Sequence, residues 1–238
     1  MSGAGGAGIL GQPRLHLRQT DSTNDRAREL AGAGAPHGTL VTAAEQTAGR
    51  GRHGRRWLAP AGSALLMSLL LRSPPPLLPL AAAVAVCDVA GSEAQIKWPN
   101  DIVVPTPPGL AKLAGILIEG RPQEDWAVLG IGLNVAVDLA QLPRELRTRS
   151  ATLGLRPTQI ESTLQRLLAA LERRLADTAQ ATLAAWRARD ALRGRTIAWA
   201  SGQGRAQGID GAGRLIVALS GGGQSTLQAG EVHLLEVS

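Results

Sequence analysis

Residues 39–71 read TLVTAAEQTAGRGRHGRRWLAPAGSALLMSLLL. Two apolar runs, Thr39 to Ala44 and Ser63 to Leu71, enclose a segment with no apolar period. The runs predict strands, the second one buried, and the segment Glu45 to Trp57 predicts a loop anchored at both ends in a core. Four arginines and three glycines interleave within that loop. Glycine leaves bare amides free to approach a ligand, and each arginine fork grips carboxylate or phosphate with two hydrogen bonds. The charges repel and the glycines make ordering costly, so the loop is expected to be mobile when empty and to order on an anion. The spacing of a P-loop is missing. On this stretch alone, an anion clamp stands level with a solvated basic loop or an arginine-rich nucleic-acid arm.

Upstream, Arg14 to Gln19 alternates as an entry strand would. The polar run Thr20 to Asp25 then opens a helix through Ala31, and it offers more hydroxyl and carboxamide groups than a cap needs. Downstream, Leu77 to Ala90 predicts a buried helix holding Cys87, the one cysteine, as an inert thiol. Gln95 to Val104 predicts a strand, a Pro-Asn-Asp turn and a second strand, where Asn100 and Asp101 read first as turn chemistry. Pro105 to Gly109 predicts a connector, and Lys112 to Glu119 a strand with a lysine at its start. Trp126 to Leu133 predicts another strand, running into Gly130-Ile131-Gly132-Leu133-Asn134 without a dinucleotide fingerprint.

Leu142 to Arg149 reads as a linker, and Thr158 with Glu161 as a capping box. Ile160, Leu164, Leu167, Leu168, Leu171 and Leu175 give one helical face, and a second helix is expected over Ala179 to Leu192, ended by Gly194. Five short strands at close spacing follow, the last over Glu231 to Val237, and predict a small all-β barrel.

The 238 residues carry a formal charge of +6, with no Phe or Tyr and five Trp. Nothing reads as a signal peptide or a membrane span, and a lone cysteine fits a reducing, cytoplasmic setting. The charge permits nucleic-acid binding, yet Trp is too sparse around the arginines for base-stacking platforms.

Taken together the motifs resemble the biotin protein ligases. The matching features are Asp21-Ser22-Thr23-Asn24, Gln46 with Gly49-Arg50-Gly51-Arg52-His53-Gly54-Arg55, Lys97-Trp98-Pro99-Asn100-Asp101, Lys112-Leu113-Ala114-Gly115-Ile116-Leu117, Gly130-Ile131-Gly132-Leu133-Asn134, and Gly208-Ile209-Asp210 with Gly230-Glu231-Val232. The resemblance implies an α+β fold: a flexible N-terminus over 1–13, a mixed-sheet catalytic domain over 14–192, and an SH3-like β-barrel over 193–238. It implies a ligase that activates biotin with ATP and Mg²⁺ as biotinyl-5'-AMP and passes it to a lysine of a biotin carboxyl carrier protein, as in acetyl-CoA carboxylase. Ser22, Thr23, Asn24, Gln46, Arg50, Gly51, Arg52, Lys112 and Gly115 are the implied biotin contacts. Arg50, Arg52, Arg55, Lys97, Asn100, Lys112 and Asn134 are the implied nucleotide contacts, Lys112 and Arg52 the catalytic pair, and Asp101 a metal ligand.

The repressor branch of the family carries an N-terminal helix-turn-helix domain. Here about twenty residues precede the Ser-Thr-Asn motif, so no sequence-specific DNA binding is expected. No membrane partner is expected, and oligomeric state, a homodimer included, is left open. A lipoate-protein ligase is the rival within the fold, although its arginine-arginine and triple-glycine block is missing. A basic nucleic-acid-binding protein is the rival from another class.

Overall fold

A computed structural model describes residues 10–107, 109–121, 124–228 and 230–235. Strands β1 (Arg14–Leu17), β2 (Leu40–Ala43), β3 (Ala64–Arg72), β4 (Gln95–Lys97), β5 (Asp101–Thr106), β6 (Gly109–Arg121) and β7 (Trp126–Asn134) form a seven-stranded sheet in the order β1-β2-β3-β7-β6-β5-β4. The β1–β2 pair is parallel and the other pairs are antiparallel, so the sheet is mixed. Helices α1 (Thr23–Gly32), α2 (Leu78–Ala90), α3 (Arg144–Arg147), α4 (Ile160–Leu175) and α5 (Ala179–Arg187) surround it. The tail folds as a five-stranded antiparallel sheet of β8 (Thr196–Trp199), β9 (Gly202–Ile209), β10 (Leu215–Ala218), β11 (Gln224–Leu227) and β12 (His233–Leu234). The fold is therefore α+β, as expected.

The unbroken apolar run of β3 follows from burial on both faces. Side chains alternate along a strand, so Leu65, Met67, Leu69 and Leu71 join the main core with α2 and α4, while Leu70 packs with Ala27 and Ala31 of α1. Ser68 shares the α1 side and is fully buried. Across β7 and β6 the same face carries Gly130, Gly132 and Gly115, registered Ser68↔Gly130, Leu66↔Gly132 and Gly115↔Gly132. Three adjacent positions without a Cβ leave a shallow floor there.

A register shift at Ile102/Val103 in the β5–β6 pair places Lys112. Strict alternation would send Lys112 to the face opposite Gly115. Instead a Cβ added at Gly115 would lie 3.2 Å from the Lys112 ammonium, so the bulge has turned the lysine onto the floor's side.

Several expectations are corrected. Pro105 to Gly109 is no connector: β5 runs through Pro105 and Thr106, which pair with Leu110 and Gly109 of β6. The β4 ladder stops at Val103, so the missing N–H of Pro105 breaks no bond to it. Lys112 therefore sits inside a long strand rather than at its start. The linker at 142–149 contains α3. Thr158 and Glu161 form no capping box; Gln159 accepts from the Arg156 N–H at 3.1 Å, and Glu161 is taken by Arg14 at 2.7 and 3.0 Å.

Helix α5 ends at Arg187, not at residue 192, because the following strip pairs with β4 through Ile96 N–H to Arg189 O at 2.7 Å and Ala191 N–H to Ile96 O at 3.0 Å. Gly194 thus caps no helix; at φ 78° it turns the chain into the tail sheet and bonds Ala206 O at 2.8 Å. Of the expected strand Glu231 to Val237, β12 covers His233–Leu234, the Leu235 N–H adds a bond to Thr196 O at 3.0 Å, and residues 236–238 lie outside the described ones. Residues 1–9 of the expected flexible N-terminus also lie outside them, while Leu10 is buried in the main core.

Among the described residues no helix is long and apolar enough to cross a membrane. Cys87 is fully buried in α2, and desolvation pushes its thiol up to about 12, with the nearby Asp88 charge adding to the rise and Arg189 opposing it. In the native protein at pH 8 this thiol is expected not to react with an aromatic disulfide reagent, and to react at once in denaturant. Rapid titration without denaturant would contradict that placement.

Candidate active site

One cavity of about 1120 Å³ opens over the glycine floor, and every site residue expected from the sequence lines it. The chain places Ser22, Thr23 and Asn24 at one end and Lys97, Asp101, Lys112 and Asn134 toward the other, with the arginine loop alongside.

At the polar end, α1 begins under the cavity. Ser22 is the extended N-cap residue, and Ser22, Thr23 and Asn24 are nearly fully buried. The N–H and hydroxyl of Thr23 both donate to Gln46 Oε1, at 2.7 and 3.0 Å. Ser68 Oγ lies 2.8 Å from Thr23 Oγ1 and 2.6 Å from Asn24 Oδ1, and its single proton serves one of them at a time. Asn24 Nδ2 donates to Glu119 Oε2 at 2.8 Å and to Leu117 O at 3.4 Å. The Asn24 amide is thus held by the protein itself.

The arginine loop carries regular backbone structure of its own. It folds back as a small hairpin, with Trp57 N–H to Gly49 O at 2.9 Å and Gly51 N–H to Arg55 O at 2.7 Å, around a 3₁₀ turn at Arg52–Gly54. His53 at φ 55° and Gly54 at φ 74° make the tip. The arginines divide by partner. Arg50 reaches Asp25 at 2.5 Å and Glu119 at 2.9 Å. Arg55 pairs with Glu231 of the tail, and Arg56 donates to Thr47 O at 2.6 Å. Among the described residues Arg52 makes only a long contact to Asn100 Oδ1, at 3.4 Å, and desolvation lowers its pKa against the pull of Asp101.

At the cationic end, the Lys112 ammonium lies 2.7 Å from Asp101 Oδ1, off the direction of a hydrogen bond, and 5.6 Å from the Trp57 ring centroid. Trp57 lies flat on the floor: a Cβ at Gly132 would come within 2.6 Å of its ring. Lys97 has its pKa lowered by burial, with Asp101 opposing and Arg149, Lys112 and Arg55 adding to the fall. The strip carrying Arg149 runs beside Lys112, through Lys112 N–H to Arg149 O at 2.7 Å and Ala151 N–H to Lys112 O at 2.8 Å. Asn134, nearly fully buried, ties that strip down by donating to Ala151 O at 2.8 Å. Asn100 braces its turn against β6, donating to Ile116 O at 3.0 Å.

Sequence reasoning missed Ser68, Glu119, Arg149 and the floor that Gly130, Gly132 and Gly115 form together. Ser68 carried a signal, being the one hydroxyl inside an apolar run, and so did Glu119, a charge at the end of another. Arg149 carried none.

Such a site can bring two anions together, since Arg52, Arg55, Lys97, Lys112 and Arg149 line the cavity and Lys112 and Arg55 already face the carboxylates of Asp101 and Glu231, which a ligand could displace. Among the described residues no cluster of three or more acidic, His or Cys side chains could hold a metal. One carboxylate, Asp101, fits a magnesium ion that takes its other ligands from phosphate and water.

The polar end depends on bare backbone. A Cβ at Gly130 would lie 2.0 Å from Asn24 Oδ1. Gly130→Ala is therefore expected to displace Asn24 and weaken the site's ligand at least tenfold, at a folding cost of about 1–3 kcal/mol. Unchanged ligand affinity would contradict the packing.

Residues 16–135 match the biotin/lipoate A/B protein ligase family, and residues 193–235 match the biotin protein ligase C terminal domain. The chain is 40% identical over 158 residues to the bifunctional ligase/repressor BirA of Bacillus subtilis, covering 61% of this chain and 47% of that one. It thus spans about half the length of that relative. It is 37% identical over 244 residues to the biotin--[acetyl-CoA-carboxylase] ligase of Mycobacterium tuberculosis, covering 92% of this chain and 88% of that one. Among solved structures it resembles the biotin protein ligase from Aquifex aeolicus in complex with biotin and ATP, with a TM-score of 0.75 at 24% identity over 95% of this chain and 100% of that one. That last likeness shows the shared fold.

Proposed function

The chain belongs to the biotin/lipoate A/B protein ligase family, and from that premise we propose that it activates biotin with ATP and transfers it to a carrier lysine. The observation that carries the reading is a cavity in which a polar, nearly neutral end adjoins a cationic end across an apolar glycine floor. A ureido ring needs paired donors and acceptors, and its acyl chain needs an apolar channel. Thr23, Gln46 and Ser22 supply the first, and Gly130, Gly132, Gly115 and Trp57 supply the second. This arrangement favours biotin over lipoate, whose dithiolane ring offers no hydrogen-bonding groups.

In the first step the biotin carboxylate attacks the α-phosphorus of ATP. The bond to the bridging oxygen breaks and pyrophosphate leaves. Lys112 offsets the charge of the approaching carboxylate and α-phosphate, and Lys97, Arg149 and Arg52 face the departing phosphates. Magnesium, held by Asp101 and the phosphates, would add charge neutralisation there. In the second step the carrier amine attacks the acyl carbon of the mixed anhydride, and AMP leaves. The arginine loop, with Arg52 at its tip, shields that anhydride from water. The carrier is proposed to be a biotin carboxyl carrier domain.

The experiment is transfer of labelled biotin to such a domain, with lipoate as competitor. ATP-dependent labelling that lipoate does not suppress is expected. Preferential transfer of lipoate would overturn the assignment.

A further inference from the structure

Resting on the ligase reading, we propose that Glu119 is a positioning residue: with Asp25 it clasps Arg50 and fixes the root of the arginine loop, while its second oxygen orients Asn24. The guanidinium of Arg50 is split between two elements. One terminal nitrogen meets Asp25 Oδ1 of α1 at 2.5 Å, and the other meets Glu119 Oε1 of β6 at 2.9 Å. Glu119 Oε2 accepts from Asn24 Nδ2 at 2.8 Å. One carboxylate therefore couples the loop to the polar end of the cavity.

The charges balance within the clasp itself. Arg28 lies 3.1 Å from Asp25 and 3.9 Å from Glu119, so two carboxylates face two guanidiniums. A carboxylate near a site for anions would otherwise repel them. Glu119 stands seven residues along β6 from Lys112, roughly 20 Å away at the rise of a strand. It therefore serves the end where the ligand is neutral. Arg50 is occupied by protein partners, which makes it an anchor. The tip beyond Gly51 is held to the rest of the fold by Arg55 with Glu231 and by the long Arg52 to Asn100 contact. Opening therefore divides at Gly51: the root stays on α1 and β6, and the tip swings.

The side chains of Glu119, Asp25 and Arg50 are 20%, 29% and 41% exposed, so water weakens the clasp without abolishing it. The test uses the full chain with biotin and MgATP, and reads release of biotinyl-adenylate together with KM for each substrate. Asp25→Asn removes charge from the clasp and leaves Asn24 untouched. Glu119→Gln removes charge but keeps an acceptor for Asn24. Each is expected to speed adenylate release about threefold to tenfold. The KM for ATP should stay within about twofold, because the phosphate end is distant. Adding either change to Arg50→Gln should give little further effect, since the clasp is already open. Glu119→Ala should also raise the KM for biotin, and Glu119→Gln should rescue that.

Unchanged release in both Asp25→Asn and Glu119→Gln overturns the proposal, as does a parallel rise of both KM values with loss of thermal stability. Should Glu119→Ala fail to fold, the two conservative variants still decide. If the wild type makes no adenylate, the ligase reading is what fails. The clasp is then read from amide exchange at Arg50 and Gly51, which must quicken in both conservative variants.

Discussion

Lys112→Ala should slow adenylate formation by about 10² to 10³-fold while leaving a folded protein. The lysine reaches the site only because the bulge opposite Val103 turns it onto the floor, where it faces Asp101 at 2.7 Å and the Trp57 ring at 5.6 Å. Its loss acts in two ways. The carboxylate and α-phosphate lose the cation that offsets their repulsion, and Asp101 is left with one counter-charge fewer at the same junction. The fold should tolerate the change, because the Lys112 side chain is 38% exposed and its backbone bonds to Arg149 and Ala151 remain. Pyrophosphate release at the wild-type rate would contradict the role given to Lys112. Transfer from pre-formed biotinyl-adenylate to the carrier should suffer much less, since the difficult meeting of two anions is then already past.

Arg52→Gly should separate making the adenylate from keeping it. Of the loop arginines described, Arg50, Arg55 and Arg56 have close partners, while Arg52 has only the 3.4 Å contact to Asn100. Its burial already makes the charged form costly, and an anion arriving beside it would relieve that cost. The substitution removes a fork whose charge-assisted bonds are each worth about 1.5–3 kcal/mol. It also adds a glycine beside Gly51, at the start of the tip turn. Lys112 and Asp101 remain, so adenylate still forms, but it should escape faster, since affinity changes of this kind appear mostly in the off-rate. Free adenylate acylates exposed amines. With biotin, MgATP and a bystander protein, the variant should label the bystander well above the wild-type level. Equal labelling while adenylate is demonstrably being made would remove the retaining role from Arg52.

Much of this was legible because it depends on local pattern. The continuous apolar run of β3, the loop between two buried strands and the apolar face of α4 all follow from periodicity. The motif residues were also legible as a set, since each stands out chemically in its own segment. What sequence could not supply was pairing. Arg50 and Arg52 look alike two positions apart, yet one is held by two carboxylates from distant elements and the other is nearly free. Asn24 stands out in sequence as a polar group beyond what a cap needs, but not as the partner of Ser68 and Glu119. Lys112 would point into the core by alternation, and a one-residue bulge reverses that. The end of α5 was missed because the strip after it pairs with β4, a tertiary contact that no cap signal announces.

One cavity is proposed to join a biotin carboxylate to an α-phosphate. Exchange of labelled pyrophosphate into ATP, followed with biotin present and absent, tests it most directly because no carrier protein is needed. Exchange should require biotin and should fall by about two orders of magnitude or more in Lys112→Ala. Exchange that proceeds equally well without biotin, or with lipoate in its place, would contradict it.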